Sequence, residues 1–444
     1  MFQTFKNAWK IRDLRNKLFY TLLIILIFRI GSAIQVPFVD ASVYTNLYNS
    51  DSNSFTQLMT LVSGGGFSDA SIFALSITPY INASIIIQLL TVALPPLEKL
   101  AKDGENGRKK LAQITRYVTV ALGLLLGVAY YFMVKNTHGS LVDFQPLWQD
   151  ILAAATIVLC FAAGSALMMW LGEQINEKGI GNGISILLLA GILSGLPSGA
   201  ITLWNWFYVA GIKQLGVAES KALLYVIGVP CILLLFVLMI GFIVFMTNAE
   251  RRIPVQYAKR VVGRKMYGGQ NTFIPIKVNM SGVMPIILAV SILSLPSIIS
   301  MFAGKTQADK GWGWLDLFSQ TSWVYVALYF VLIIAFAFFY VTIQYNPVEM
   351  ANNLRRNSGA IPGYRPGKPT SDFINRVLHK VTFIGALFLG VVAVFPSVFG
   401  AIFNEFAGLA IGGTSIMIVV SVALETTQQI ESQMMMRHYK GFLE

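Results

Sequence analysis

The chain holds three histidines, His138, His379 and His438, and two cysteines, Cys160 and Cys231. The histidines are scattered over connections and tail, which leaves little for imidazole chemistry. Both cysteines lie inside apolar runs, where a thiol behaves as a small apolar side chain. Neither a disulfide framework nor a metal site is indicated. Gly179 to Ser185 (GIGNGIS) has the glycine density of a phosphate loop. No strand precedes it and no Lys-Ser/Thr follows, so it reads as a tight turn into a helix. There is no GxSxG elbow and no HExxH pair. Neither an enzyme nor a cofactor is expected from these residues. What the chain has in quantity is branched aliphatics, and their chemistry is the exclusion of water.

The stretch from Phe55 to Leu94 shows where that chemistry is placed. Its first part, Phe55 to Asp69, is mildly apolar (Leu58, Met59, Leu61, Val62, Phe67) and is broken by Gly64, Gly65 and Gly66. Its second part, Ser71 to Leu94, is uncharged and long enough to cross a membrane. It includes Pro79 and the polar residues Ser76, Thr78, Asn82, Ser84 and Gln88. A lipid-facing anchor has no use for those polar groups, but a helix that lines water or packs closely on other helices does. The expectation is that this helix lines a pore and that the short piece before it closes the pore from one side.

The elements that must position these residues are membrane helices. The 444 residues are 55% hydrophobic and 12% charged, with a mean hydropathy of +0.64. A soluble core cannot absorb that much apolar surface. Repeated apolar runs of about 20 residues predict a polytopic all-α membrane protein, since helices satisfy their backbone groups internally. Ten spans are expected, at 18–36, 72–94, 115–134, 151–171, 183–201, 222–246, 282–303, 323–343, 381–399 and 408–424. The fifth is interrupted by Gly191, Gly195 and Pro197. The basic, then apolar N-terminus is read as a retained first span. With strict alternation, 27 of the 33 Lys and Arg fall on one side and five on the other, with Arg29 inside the first span. That asymmetry places both termini in the cytoplasm. Two basic connections, about 247–278 and 345–380, exceed what orientation needs and are expected to dock an acidic partner, such as ribosomal RNA or a motor protein.

Ten spans divide into two sets of five of opposite topology, the inverted-repeat arrangement. The halves are taken as 1–205 and 206–444. A faint trace supports this. Aligning Pro79 with Pro285 pairs Ile81 with Ile287, and aligning Ser185 with Ser415 pairs Leu188 with Ile418. Ile81, Leu188, Ile287 and Ile418 are then expected to face one another, with Ile77 and Ile184 one helical turn away. Such a ring binds no ion well but seals by dewetting. Acidic relays of the kind used by ion-coupled transporters are absent from the span interiors.

The chain resembles the SecY family of protein-conducting channel subunits along essentially its whole length. The matching blocks are SIFALSITPYINASIIIQLLTV (71–92), GENGRKKLAQITRY (104–117), MWLGEQINEKGIGNGISI (169–186), AERRIPVQYAKR (249–260), IPIKVNMSGVMPIILA (274–289), NPVEMANNLRRNSGAIPGYRPG (346–367) and GGTSIMIVVSVALE (412–425). The resemblance implies a clamshell of two five-helix halves, hinged near the connection between spans five and six. It implies a plug helix within about 56–70, built from Leu58, Met59, Leu61, Val62, Gly64, Gly65, Gly66 and Phe67. It implies a pore ring of Ile77, Ile81, Ile184, Leu188, Ile287 and Ile418, with Leu188 in place of the more usual isoleucine. A lateral gate between spans two and three and spans seven and eight follows, with Thr78, Asn82 and Gln88 on its side.

Docking of the ribosome and the SecA ATPase is implied for the basic loops. Arg264 and Lys265 match the tip of the first loop, with Arg251, Arg252, Lys259 and Arg260 beside them. Arg365 matches a functional arginine of the second, with Arg355 and Arg356 nearby. The implied partners are SecE, SecG, SecA, the ribosome, signal sequences, nascent polypeptides and membrane lipids, in a bacterial cytoplasmic membrane. The competing reading is an inverted-repeat secondary transporter for a small solute, against which the uncharged span interiors count. An intramembrane protease would need a histidine base in a span, and none is present.

Overall fold

Apolar helices build the molecule, and the breaks between them fall where proline or a left-handed backbone stops the ladder. The computed structural model describes residues 9–39, 60, 63–67, 69–138, 147–211, 222–257, 260–262, 265–267, 271–296, 298–299, 313–318, 322–402 and 413–440. The helices are α1 (Arg12–Ala33), α2 (Thr78–Ala93), α3 (Pro95–Lys102), α4 (Gly104–His138), α5 (Leu147–Lys178), α6 (Gly183–Ser194) and α7 (Leu196–Trp204) in the first part of the chain. There follow α8 (Ala222–Asn248), α9 (Met284–Leu293), α10 (Trp323–Gln344), α11 (Pro347–Arg356), α12 (Lys368–Ile402) and α13 (Gly413–Lys440). Among the described residues, seven helical segments are long and apolar enough to cross a membrane. An eighth candidate is α2 with α3, bent by 103° where Pro95 and Pro96 cannot continue the hydrogen-bond ladder. Each of the ten apolar segments read from the sequence contains helix.

Most helix bounds differ from the sequence reading, and at two of them a proline sets the start. The second span was expected from 72, but α2 begins at Thr78. Ser76 has a left-handed backbone (φ +49), Ile77 is the N-cap, and Pro79 stands in the first turn, where its missing N–H costs nothing. The seventh was expected over 282–303; α9 covers Met284–Leu293, again with Pro285 in its first turn, and past a turn at Ser294 residues 295, 296, 298 and 299 are helical. The fifth span is split as its glycines foretold. α6 ends at Ser194 with Gly195 as its C-cap, α7 restarts with Pro197 in its first turn, and a π-helical stretch, Asn205–Gly211, follows.

The backbone carries the trace of a repeat. Under the alignment of Pro79 with Pro285, α2 and α9 start at equivalent residues, and their N-caps have matching dihedrals (Ile77 φ −92, ψ 3; Val283 φ −93, ψ −5). The residue before each N-cap is left-handed, Ser76 at φ +49 and Gly282 at φ +62.

The two long basic connections fold into one platform. Strand β1 (Glu250–Tyr257) pairs antiparallel with β4 (Asn271–Lys277), Glu250 opposite Lys277. It also pairs with β5 (Gly359–Ala360) from the second connection. Between them lies a small hairpin of β2 (Arg260–Val262) and β3 (Lys265–Tyr267). The strand alternation buries Ile253 and Val255 and leaves Arg252, Pro254 and Gln256 outside, and Arg251 at the start of the strand is also exposed. The buried residues join Leu354, Ile361, Ile374 and Leu378, so the platform sits on α11 and on the N-terminal part of α12.

Candidate functional site

Five elements meet in one apolar cluster. Ile77 precedes α2, Ile81 lies on α2, Ile184 and Leu188 on α6, and Ile418 on α13. All five belong to one cluster with Phe28 of α1 and Met168 of α5. Ile77 is fully buried, and Leu188 and Ile418 nearly so. Ile287 is half-buried and absent from that cluster, whereas Val283, one turn earlier, packs against it. Val283 is the residue that the Pro79–Pro285 alignment pairs with Ile77. That pairing was available in the sequence, although the reading stopped at Ile81 and Ile287.

The ring needs α5 and α6 in backbone contact. A Cβ on Gly183 would overlap the Gly172 carbonyl oxygen, and one on Gly172 would already touch Ile77, Ile184 and Leu187. The turn that delivers α6 is GIGNGIS. Gly181 is left-handed (φ +88), Asn182 caps α6 by accepting from the Ile184 amide, and Asn176 accepts from the Gly183 amide at 2.8 Å. The glycine-rich stretch is thus a turn into a helix.

Of the plug candidates, Leu58, Met59, Leu61 and Val62 lie outside the described residues. The described part, Ser63 to Phe67, is a turn beyond the ring on the side away from the platform. Gly64 and Gly65 have φ of +67 and +89. A Cβ on Gly64 would stand 2.5 Å from Ser194 Oγ and 3.2 Å from the Gly191 backbone, so this turn rests on the far end of α6. Arg29 donates to the Gly64 carbonyl at 2.9 Å. Phe67 is buried against the Tyr130 ring, whose hydroxyl donates to the Phe67 carbonyl at 3.0 Å. Sequence reasoning placed Arg29 inside the first span without naming a partner and passed over Tyr130. A charge inside a span was the available signal, since such residues are kept for a partner.

At the gate, Thr78 opens α2 and Asn82 lies one turn on, its Oδ1 buried without a partner. Gln88 accepts a hydrogen bond of 2.6 Å from the Tyr340 hydroxyl of α10. This contact joins the two halves of the chain, and Tyr340 was not foreseen. A tyrosine near the end of an apolar run has a polar handle that seeks a partner, but nothing in the sequence names which. If the bond latches the two halves, Tyr340→Phe opens the gate without disturbing packing. A pair of cysteines placed at Gln88 and Tyr340 reports the closed distance by crosslinking. In the protein with cysteines across α2 and α9 instead, Tyr340→Phe is expected to lower crosslinking about two- to tenfold, the scale of one hydrogen bond. Unchanged crosslinking removes the latch.

Among the docking candidates, Arg251, Arg252, Arg355, Arg356 and Arg365 are exposed on the platform. Arg252 pairs with Glu250 and lies over the Phe273 ring at 4.7 Å. Arg260 and Lys265 fall on the β2–β3 hairpin, while Lys259 and Arg264 lie outside the described residues. No group of three metal-ligating side chains occurs among the described residues.

An apolar ring under a glycine turn, inside a shell of bilayer-length helices, defines a gated helical membrane channel. The SecY family model matches residues 71–427. The protein translocase subunit SecY of Streptomyces galbus is 41% identical over 456 residues, covering all of both chains. A solved protein-conducting channel superposes with a TM-score of 0.62 at 19% identity, over 94% of this chain and 92% of that one. A solved SecY channel, studied for a plug domain that stabilises the closed state and maintains a membrane seal, gives 0.61 at 18% identity over the same shares. The chain belongs to the SecY family.

Proposed function

We propose that this chain is the channel-forming subunit of a Sec translocon. It passes unfolded secretory polypeptides across a bacterial cytoplasmic membrane and releases apolar helices sideways into lipid. The observation that supports this most is the apolar cluster of Ile77, Ile81, Ile184, Leu188 and Ile418 beneath the Gly64 turn. A water-excluding constriction with no charged group in its cluster suits a substrate whose side chains vary without limit.

The halves, 1–205 and 206–444, swing about the connection between spans five and six. SecE clamps them, and SecG lies at the periphery. Both termini and the platform face the cytoplasm, where exposed Arg251, Arg355, Arg356 and Arg365 meet the ribosome or SecA. Lys259, Arg260, Arg264 and Lys265 extend that surface. A signal sequence enters between α2 and α10, past Thr78, Asn82 and Gln88, and parts Gln88 from Tyr340. The ring then widens, and the plug, which includes Leu58, Met59, Leu61 and Val62, leaves its seat. The chain performs no catalysis, and hydrolysis by SecA or elongation by the ribosome drives movement.

The test is reconstitution with SecE and SecG in vesicles, with SecA and ATP outside. A secretory precursor is expected to become protease-protected, and Arg365→Glu to abolish protection. Solute uptake without protection of any precursor would favour a transporter and sink the proposal.

A further inference from the structure

On the platform side of the ring, the ends of α2, α8, α9 and α10, the middle of α13 and the turn into α6 line a chamber of about 510 Å³. That is within the range of about 300–1,000 Å³ in which proteins hold ligands. Among the described residues its wall has one positive and one negative side chain, Lys277 and Glu425. A chamber so balanced selects neither anions nor cations. Its remaining polar lining is made of amides and hydroxyls, and three of these are orphans. Thr247 Oγ1, Asn279 Oδ1 and Ser421 Oγ are buried without a hydrogen-bond partner in the protein. Asn279 and Ser421 are only 7% and 8% exposed. They come from three separate elements, so local turn chemistry accounts for none of them. Buried polar atoms are normally paired, and a set of unpaired ones around one chamber marks where something pairs with them.

We propose that the chamber binds the main chain of the passing polypeptide. The inference rests on the reading of this protein as a protein-conducting channel, and it names what the channel grips. Peptide N–H and C=O groups are the one feature that every substrate shares. Asn279 Oδ1 accepts from a peptide N–H, and the Thr247 and Ser421 hydroxyls donate to a C=O or accept from an N–H. An extended strand presents these groups at regular intervals and on both edges. The ring beyond the chamber is apolar and offers no such bonds. The division of labour is therefore that the ring seals around side chains while the chamber holds the backbone. Holding matters between pushes of the motor, when an ungripped chain slides back.

The test uses the reconstituted complex and a precursor stalled by a folded domain. ATP is then removed and the rate of backsliding measured. Thr247→Val, Asn279→Leu and Ser421→Ala each replace an orphan polar atom by an apolar group of similar shape, which leaves stability unchanged or raised. Each is expected to speed backsliding about two- to tenfold, the scale of one hydrogen bond. Unchanged backsliding in stable variants means that the chamber holds water only, and overturns the proposal. A second arm keeps the protein unaltered and changes the substrate. A stalled segment of N-methylated residues lacks peptide N–H groups and is expected to slide back faster than its unmethylated counterpart. Equal rates overturn the proposal even where a variant fails to fold. If the unaltered complex protects no precursor at all, the channel reading itself has failed, and that result is distinct from either arm.

Discussion

With Ile77 and Ile418 both replaced by glycine, the protein in a planar bilayer is expected to conduct ions with no polypeptide present, while the unaltered protein stays silent. The two residues come from opposite ends of the chain and meet in one buried cluster. Water is excluded there because each aliphatic side chain fills space that its neighbours cannot reach. Removing a buried isoleucine leaves a cavity that the surrounding helices fill only in part, at a cost of about 2–5 kcal/mol for truncation to alanine and more for glycine. In a soluble core such a cavity stays dry. Here it adjoins a polar chamber on one face and the Gly64 turn on the other, so a column of water can bridge it. Ile287→Gly is the discriminating control. Ile287 stands outside the cluster, and its loss is expected to leave the channel silent. If Ile287→Gly leaks and the Ile77, Ile418 pair does not, the constriction lies one turn along α9 and the ring has been placed wrongly. Deletion of 56–70 should give a weaker or flickering leak, because the ring remains.

The helical architecture was legible because lipid permits so few structures. Long uncharged runs give the spans without any knowledge of contacts. Helix starts were less legible. A span read by hydropathy begins where charge stops, at 72, but α2 begins at Thr78. The intervening Ser71 to Ile77 is apolar and buried yet not helical, because it turns between the plug and α2. Hydropathy reports burial in something apolar and cannot tell a turn buried in protein from a helix buried in lipid.

The repeat shows how a weak signal becomes a structural one. Two proline-centred matches between α2 and α9 were faint in sequence. In the fold the same offset equates helix starts, N-cap dihedrals and a left-handed residue, Ser76 with Gly282. Glycine takes that backbone freely, while serine does so at a cost of roughly 1–2 kcal/mol. The second half therefore retains the residue the geometry asks for, and the first half tolerates strain at the joint between plug and pore helix. Side-chain pairings across the molecule stayed illegible. Gln88 with Tyr340, or Arg29 with the Gly64 carbonyl, depends on how distant helices rotate, and the sequence around each partner fits many rotations. The pairing of β5 with β1, which fuses two basic connections into one platform, was hidden for the same reason: β5 is two residues long and has no pattern to read.

Gly183→Ala is expected to keep the folded protein from accumulating, with a loss at or above about 3 kcal/mol, the upper end of what overpacking usually costs. A methyl group at this position overlaps the Gly172 carbonyl oxygen. The obstacle is backbone on both sides, so no rotamer change relieves it, and α5 and α6 must move apart. Gly65→Ala makes the contrasting case. A Cβ there meets nothing within 4 Å, but φ is +89, so the expected loss is the left-handed penalty alone, about 1–2 kcal/mol. Membrane yield and thermal melting in detergent would separate the two. The comparison bears on function because the next residue after Gly183 is Ile184, and Leu188 follows one turn later. Their approach to Ile77 exists only while α5 and α6 touch. Should Gly183→Ala accumulate and melt like the unaltered protein, the two helices are not in backbone contact, and α6 can no longer be assumed to hold its two residues in the ring.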